Sequence, residues 1–220
     1  MTFSILARDP ETGELGGAAA TGSLCVGGWV LRGDPRAGLS ASQGAAPSTL
    51  WGEAVLAAMM AGRTTQEAVD TVVRPDGGRD HRQLAALAPD GQAAAFTGAE
   101  NTPAMGARMF DGGVVAGNLL TAETVLDAVA AGYLGADGTI ARRLLAALKA
   151  GEAAGGDCRG LMSAALLVLS SDRAPLSLRI DYSQAPLSDL ARLYEKATSG
   201  DYHEWSLQVP TLNDPERILD

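Results

Sequence analysis

An α+β fold is what this 220-residue sequence predicts: two stacked, mainly antiparallel sheets between outer helices, a four-layer αββα sandwich. Three observations carry that prediction. Segments with period-2 alternation come in hairpin-spaced pairs. Segments with helical spacing come in adjacent pairs between them. Both kinds have an apolar face to bury. Hairpins alternating with helix pairs disfavour a doubly wound parallel sheet, and two sheets stacked face to face with helices outside cover every apolar face. Glycine supplies 27 residues and aromatics only 5%, so small residues fill many expected interior positions and the layers should approach closely.

The elements follow in order. In "TFSILARD", Phe3, Ile5 and Ala7 alternate with Thr2, Ser4 and Leu6, the pattern of a half-buried strand. "RDPETGEL", with Pro10 and Gly13, turns the chain into a small-residue return strand, "LGGAAATGSLCVGG". "RGDPRAG" leads to a third strand, "LSASQGA". Ser48 or Thr49 caps a helix through "LWGEAVLAAMMAG", with Gly62 as its stop. Thr64 and Glu67 stand at capping-box spacing ahead of a second helix, which "RPDGG" ends. Two short strands, "RQLAALAPDG" and "QAAAFTG", flank an Asp-Gly turn. Residues 99–112 are less regular, and "GVVAGNLL" is the next strand. The helices "TAETVLDAVAAGYL" and "TIARRLLAALKAGEAA" follow, then a hairpin of "SAALLVLSS" and "LSLRIDYS" across Asp172 to Pro175, then the helix "PLSDLARLYEKAT". On this reading residues 1–200 are one domain and 201–220 a polar tail.

Composition narrows the function. A net charge of −9 argues against nucleic acid or an anionic membrane as the main partner. No run of about 18 apolar residues is present to span a bilayer. Arg8, Asp9, Glu11 and Glu14 interrupt the first residues early, so no secretory signal is expected. Cys25 and Cys158 are too few for a disulfide framework, and a cytoplasmic location fits. The two histidines, His81 and His203, are far apart in sequence, so neither a histidine-rich metal site nor any other cofactor is expected. Apolar stretches in the helices point to a homo-oligomer.

The chemistry centres on Thr2. Initiator methionine is trimmed when the next residue is as small as threonine, which leaves an α-amine beside the Thr2 hydroxyl. Such an amine has a pKa of about 7.7–8.0 and can act as base for the adjacent hydroxyl. Asn118, after an apolar strand, has an amide that can stabilise an oxyanion, as can backbone N–H groups near Ser42 and Gln43. Arg36 or Arg159 can hold a substrate carboxylate in its guanidinium fork, and Asp157 shares a loop with Arg159. "GDCRG" at 156–160 has the form of a thiol elbow around Cys158, but it follows a helix and precedes a strand, the reverse of the context an elbow requires.

The series "TFSILARDPETGELG", "GLSASQGA", "AGNLL", "LLAALKAGEAAGGDCRGLMSAALLV" and "LSLRIDYSQAPLSDLARL" resembles the bacterial family named domain of unknown function 1028, placed with the N-terminal-nucleophile (Ntn) hydrolase-like proteins. The resemblance spans roughly residues 2–195. It implies an Ntn-type αββα fold and puts Thr2 at the nucleophile position. Two features that members often carry differ here: Phe96 stands where a histidine precedes the Thr97–Gly98 pair, and "TPAMGARMFDGG" replaces a stretch with tryptophan and histidine. The expected function is therefore an amidohydrolase of a small amide, ureido or peptide-like substrate. The alternative is a binding or scaffold protein that keeps the fold without catalysis.

Overall fold

The computed structural model describes residues 2–219, so the expected removal of Met1 falls outside the described residues. Among the described residues, ten strands form two antiparallel sheets. The larger has the order β10 (Leu176–Ile180), β9 (Ser163–Leu169), β2 (Leu15–Thr21), β1 (Thr2–Arg8), β8 (Gly113–Leu120), β7 (Ala104–Phe110). The smaller runs β3 (Leu31–Asp34), β4 (Gly38–Gly44), β5 (Arg82–Leu87), β6 (Ala93–Thr97).

Side-chain alternation along the strands builds three apolar layers. Phe3, Ile5 and Ala7 of β1 pack with Val129, Leu144 and Leu190, which come from α4 (Thr124–Leu134), α5 (Ile140–Ala153) and α6 (Pro186–Ala197). Leu6, from the other face of β1, meets Leu39 and Ala41 of β4 and Leu87 of β5, closing the gap between the sheets. Leu84 and Ala86, on the far face of β5, cover Trp51 and Val55 of α2 (Thr49–Met60) and Val69 of α3 (Thr65–Val73). The order is helices, sheet, sheet, helices. Gly151 shows why small residues matter here: a Cβ there would stand 2.6 Å from Val129 Cγ2 and 2.8 Å from Phe3 Cε2, so only glycine lets α5 lie this close to β1.

Two helix caps form as their chemistry requires, whereas Ser48, at the N-cap of α2, makes no side-chain capping bond. The Thr64 hydroxyl accepts from Glu67 N, and the Glu67 carboxylate accepts from Thr64 N, a complete capping box on α3. On α5 the Thr139 hydroxyl accepts from Arg142 N, a simple N-cap without the reciprocal bond.

Four segments differ from the sequence expectation. The return strand leaves the sheet after Thr21, and a single-turn helix, α1 (Val26–Trp29), follows, because Cys25 takes a left-handed conformation (φ 62°) that no strand accommodates. The third strand is preceded by β3, a short edge strand whose polar "LRGD" conceals it. The irregular stretch contains β7, also an edge strand, partly exposed and interrupted at Gly106 (φ 144°). The tail read only as polar carries α7 (Gly200–Ser206) and the buried Thr211.

Candidate functional site

At one end of the layer between the sheets, apolar residues give way to polar ones strand by strand. On the inward face, Leu6 is followed towards that end by Ser4 and Thr2, Ala19 by Thr21, and Ala41 by Gln43. Likewise Ala85 gives way to Gln83, Ala116 to Asn118, and Ala165 to Ser163. All of these polar side chains are buried. Burial on this scale requires partners. Thr2 with Thr21, and Gln43 and Asn118 with Gln83, supply them to one another, whereas Ser163 Oγ donates to Ser23 O and accepts from Val26 N.

Gln83 is the hub. Its Oε1 accepts from Gln43 Nε2 at 2.7 Å and from Asn118 Nδ2 at 3.0 Å. Its Nε2 donates to Gly117 O at 2.8 Å and lies 3.0 Å from Gly106 O and 2.8 Å from Thr97 Oγ1. Gln43 Nε2 also reaches Thr2 O at 3.4 Å, and Thr2 Oγ1 donates to Thr21 Oγ1 at 3.2 Å. Thr2 and Asn118 face each other directly across the β1–β8 ladder. Ser4 Oγ, Gln43 Oε1 and Asn118 Oδ1 are buried with no hydrogen-bond partner among the described residues. Three such atoms in one cluster mark it as the polar focus of the molecule.

The backbone is distorted at the same place. Ala104 pairs with Leu120 and Gly106 with Gly117, so Asn118 and Leu119 together oppose Met105 in a β-bulge. Leu119 sits at φ 55°, an unfavourable conformation for a branched side chain. Asn101, fully buried, holds the distortion: its carbonyl accepts from Leu119 N at 3.0 Å, and its side-chain Oδ1 accepts from Ala45 N at 2.9 Å. Bulges and strained residues of this kind concentrate at functional sites.

A cavity of about 440 Å³ opens onto this polar end. Thr2, Thr21 and Gln43 form its buried polar wall, and Val26, Trp29 and Val30 an apolar one. Leu119, Ala45 and Pro47 close a third side, and Ser23 and Arg159 stand at the fourth. Asp157 lies behind Arg159. Its carboxylate accepts from Gly22 N at 2.5 Å, from Arg159 N at 2.9 Å, and from Arg159 Nε and Nη2 at 3.1 and 3.0 Å. Burial alone would raise the Asp157 pKa, but those bonds outweigh it and hold the carboxyl below its usual range. Arg159 Nη2 also donates to Ser23 Oγ at 3.3 Å.

The sequence candidates divide accordingly. Thr2, Gln43, Asn118, Asp157 and Arg159 come together, although Asn118 is fully buried behind the cavity wall with its amide on Gln83. Ser42 and Arg36 do not join them. Ser42 alternates with Gln43, so its hydroxyl points to the other face of β4 and donates to Ser48 O at 2.7 Å, while its N–H donates to Val30 O. Arg36 lies in the β3–β4 turn, at the opposite end of β4, held by Asp34 at 2.8 and 3.0 Å. Cys158 is exposed and does not line the cavity. Gln83 and Asn101 were not anticipated. The available signal for Gln83 was its place as the polar first inward residue of an otherwise apolar strand.

Among the described residues no cluster of His, Cys, Asp or Glu is placed to hold a metal ion, and no helix is long and apolar enough to cross a membrane. Comparison with known proteins identifies a family and a solved structure that this chain resembles. The profile of a family of unknown function, DUF1028, matches residues 2–190. The crystal structure of protein SPO2555 from Silicibacter pomeroyi, itself described as DUF1028, superposes with a TM-score of 0.96 at 58% identity, covering 100% of this chain and 96% of that one. No curated protein matches significantly.

Proposed function

We propose that this chain, which belongs to the DUF1028 family, is an Ntn-hydrolase-like amidohydrolase with Thr2 as nucleophile. One observation carries the reading: the first residue of β1 puts a hydroxyl into the wall of a cavity that meets the buried polar network. Removal of Met1 gives that residue an α-amine, and a hydroxyl with an amine on the same residue needs no separate base. The αββα layering and the bulge beside Thr2 support the reading. The substrate is a small molecule with an amide bond.

The steps balance without a cofactor. The Thr2 α-amine takes the hydroxyl proton as Oγ1 bonds to the amide carbonyl carbon, and the C–N bond then breaks as the same proton passes to the departing nitrogen. A water gives its proton to the α-amine and attacks the resulting ester, and Thr2 Oγ1 recovers that proton as the C–O bond breaks. Gln43 lines the cavity and Asn118 does not, so Gln43 takes over the oxyanion role first expected of Asn118. One Gln43 Nε2 N–H is held by Gln83 Oε1 at 2.7 Å, and the other, only 3.4 Å from Thr2 O, is the one that turns to the oxyanion.

The test joins intact mass to turnover. Protein with Met1 removed should hydrolyse at least one member of a panel of small amides, ureido acids and isopeptides. Thr2→Ala protein of the same fold should hydrolyse none. Turnover that persists in Thr2→Ala would rule out this nucleophile, and a folded, trimmed protein inert across the panel would favour a binding or scaffold role.

A further inference from the structure

We infer that the cavity takes N-acylated amino acids, with an apolar acyl group held by α1 and the carboxylate of the departing amino acid held at Arg159. This rests on the Thr2 reading and adds the substrate class to it. Two independent features of the cavity carry it: its single charge and its gradient of burial.

Arg159 is the only charged side chain lining the cavity among the described residues, in a protein whose net charge is −9. Its position is fixed. Asp157, with a side chain 0% exposed, grips the guanidinium from behind while the Arg159 side chain is 45% exposed. An incoming carboxylate therefore meets the cation first, with the compensating anion buried beyond it. A guanidinium held this way is prepared for a carboxylate.

The wall formed by α1 and the residues flanking it is apolar and graded. Val26 and Val30 are 2% and 4% exposed, whereas Leu24 and Trp29, at the mouth, are 54% and 51% exposed. In acyl transfer through Thr2 the acyl group stays bonded to the protein while the amine must leave to solvent. The enclosed valines suit the part that stays. The half-exposed arginine suits the part that leaves. A volume of about 440 Å³ accommodates a small acylated amino acid and excludes a folded protein segment.

Calorimetric binding to the full-length Thr2→Ala protein tests the substrate class apart from catalysis. The probes are N-hexanoylglycine, N-acetylglycine, N-carbamoylglycine and N-hexanoylglycinamide. N-hexanoylglycine should bind best. The glycinamide, which lacks the carboxylate, should bind about tenfold or more weakly, and the acetyl and carbamoyl compounds should lose roughly threefold for each methylene missing. Arg159→Met should abolish the preference for acid over amide. If that variant does not fold, the acid–amide comparison on Thr2→Ala alone still decides. Equal binding of acid and amide, tightest binding of the carbamoyl compound, or no binding of any probe would each overturn the inference. Tight binding of N-hexanoylglycine that the trimmed wild-type protein never hydrolyses would instead sink the Thr2 mechanism and leave the ligand class standing.

Discussion

Asn118 Nδ2 donates across the gap between the two sheets to Gln83 Oε1 at 3.0 Å. The bond ties the bulged end of β8 to the start of β5, and the Gln83 amide then reaches the backbone of both bulged strands on one flank of the bulge, at Gly117 O of β8 and Gly106 O of β7. One side chain thereby fixes the strained segment that carries Leu119 into the cavity.

Replacing Gln83 by leucine should therefore be costly. The change leaves the buried Gln43 and Asn118 amides without their shared acceptor and takes the Gln83 donor away from Gly117 O and Gly106 O. With each unsatisfied buried group costing about 1–3 kcal/mol, and some relief by rearrangement, a loss of roughly 3–5 kcal/mol is expected. Urea unfolding measures it. A variant within about 1 kcal/mol of wild type would show that the network is not a structural lock.

Gly22 tests the support of Arg159. A Cβ at this position would fall 2.5 Å from Gly160 O and 2.7 Å from Asp157 Oδ2, both parts of the loop that holds the guanidinium. Gly22→Ala should displace that loop and destabilise the protein by about 1–3 kcal/mol. It should also weaken carboxylate binding while leaving Thr2 in place. Unchanged binding of N-hexanoylglycine to this variant would mean that Arg159 does not depend on the Asp157 loop for its position.

The parts of this fold legible in sequence were those whose residues face one environment each. Phe3 and Ile5 against Leu6 announced β1, and Thr64 with Glu67 announced α3, because alternation and caps are local effects. The edge strands β3 and β7 were hidden because exposure on one side removes the alternation. At the site, Gln43 and Asn118 stood out as polar ends of apolar strands, and Gln83 has the same signature read from the other end of its strand. Arg36 and Arg159 could not be told apart, since only the register of β3 on β4 puts the Arg36 turn at the far end of the sheet.

Asp157 should set part of the acid limit of stability. Its folded pKa lies below the usual carboxylate value, so its charge stabilises the folded state above the unfolded pKa of about 3.9. That contribution is lost as the pH falls from there through the folded value. Asp157→Asn should be less stable than wild type at neutral pH, because Arg159 and Gly22 N lose a charged acceptor, and the difference should narrow below about pH 4. Unfolding midpoints measured from pH 7 to pH 3 report it. A constant gap across that range would remove Asp157 from the account of acid stability.

The pH profile of turnover addresses the mechanism itself. If the Thr2 amine accepts the hydroxyl proton, it must be neutral to do so, and kcat/KM should rise with pH to a plateau. The midpoint should fall at roughly pH 8, the ordinary value for an α-amine. Thr2→Ser keeps both the hydroxyl and a neighbour small enough for methionine removal, so it should retain part of the activity with the same midpoint. Thr2→Val keeps the shape and the trimmed terminus but not the hydroxyl. It should lose all activity while remaining as stable as a protein can without the Thr2–Thr21 hydrogen bond, a change of about 1 kcal/mol. A residue fixed ahead of Thr2 turns the amine into an amide that cannot accept a proton, and that protein should be inactive although its hydroxyl is intact. A profile flat between pH 6 and 9, or activity in the blocked protein, would require a base from outside Thr2. The cavity wall offers no carboxylate or histidine among the described residues to serve as one.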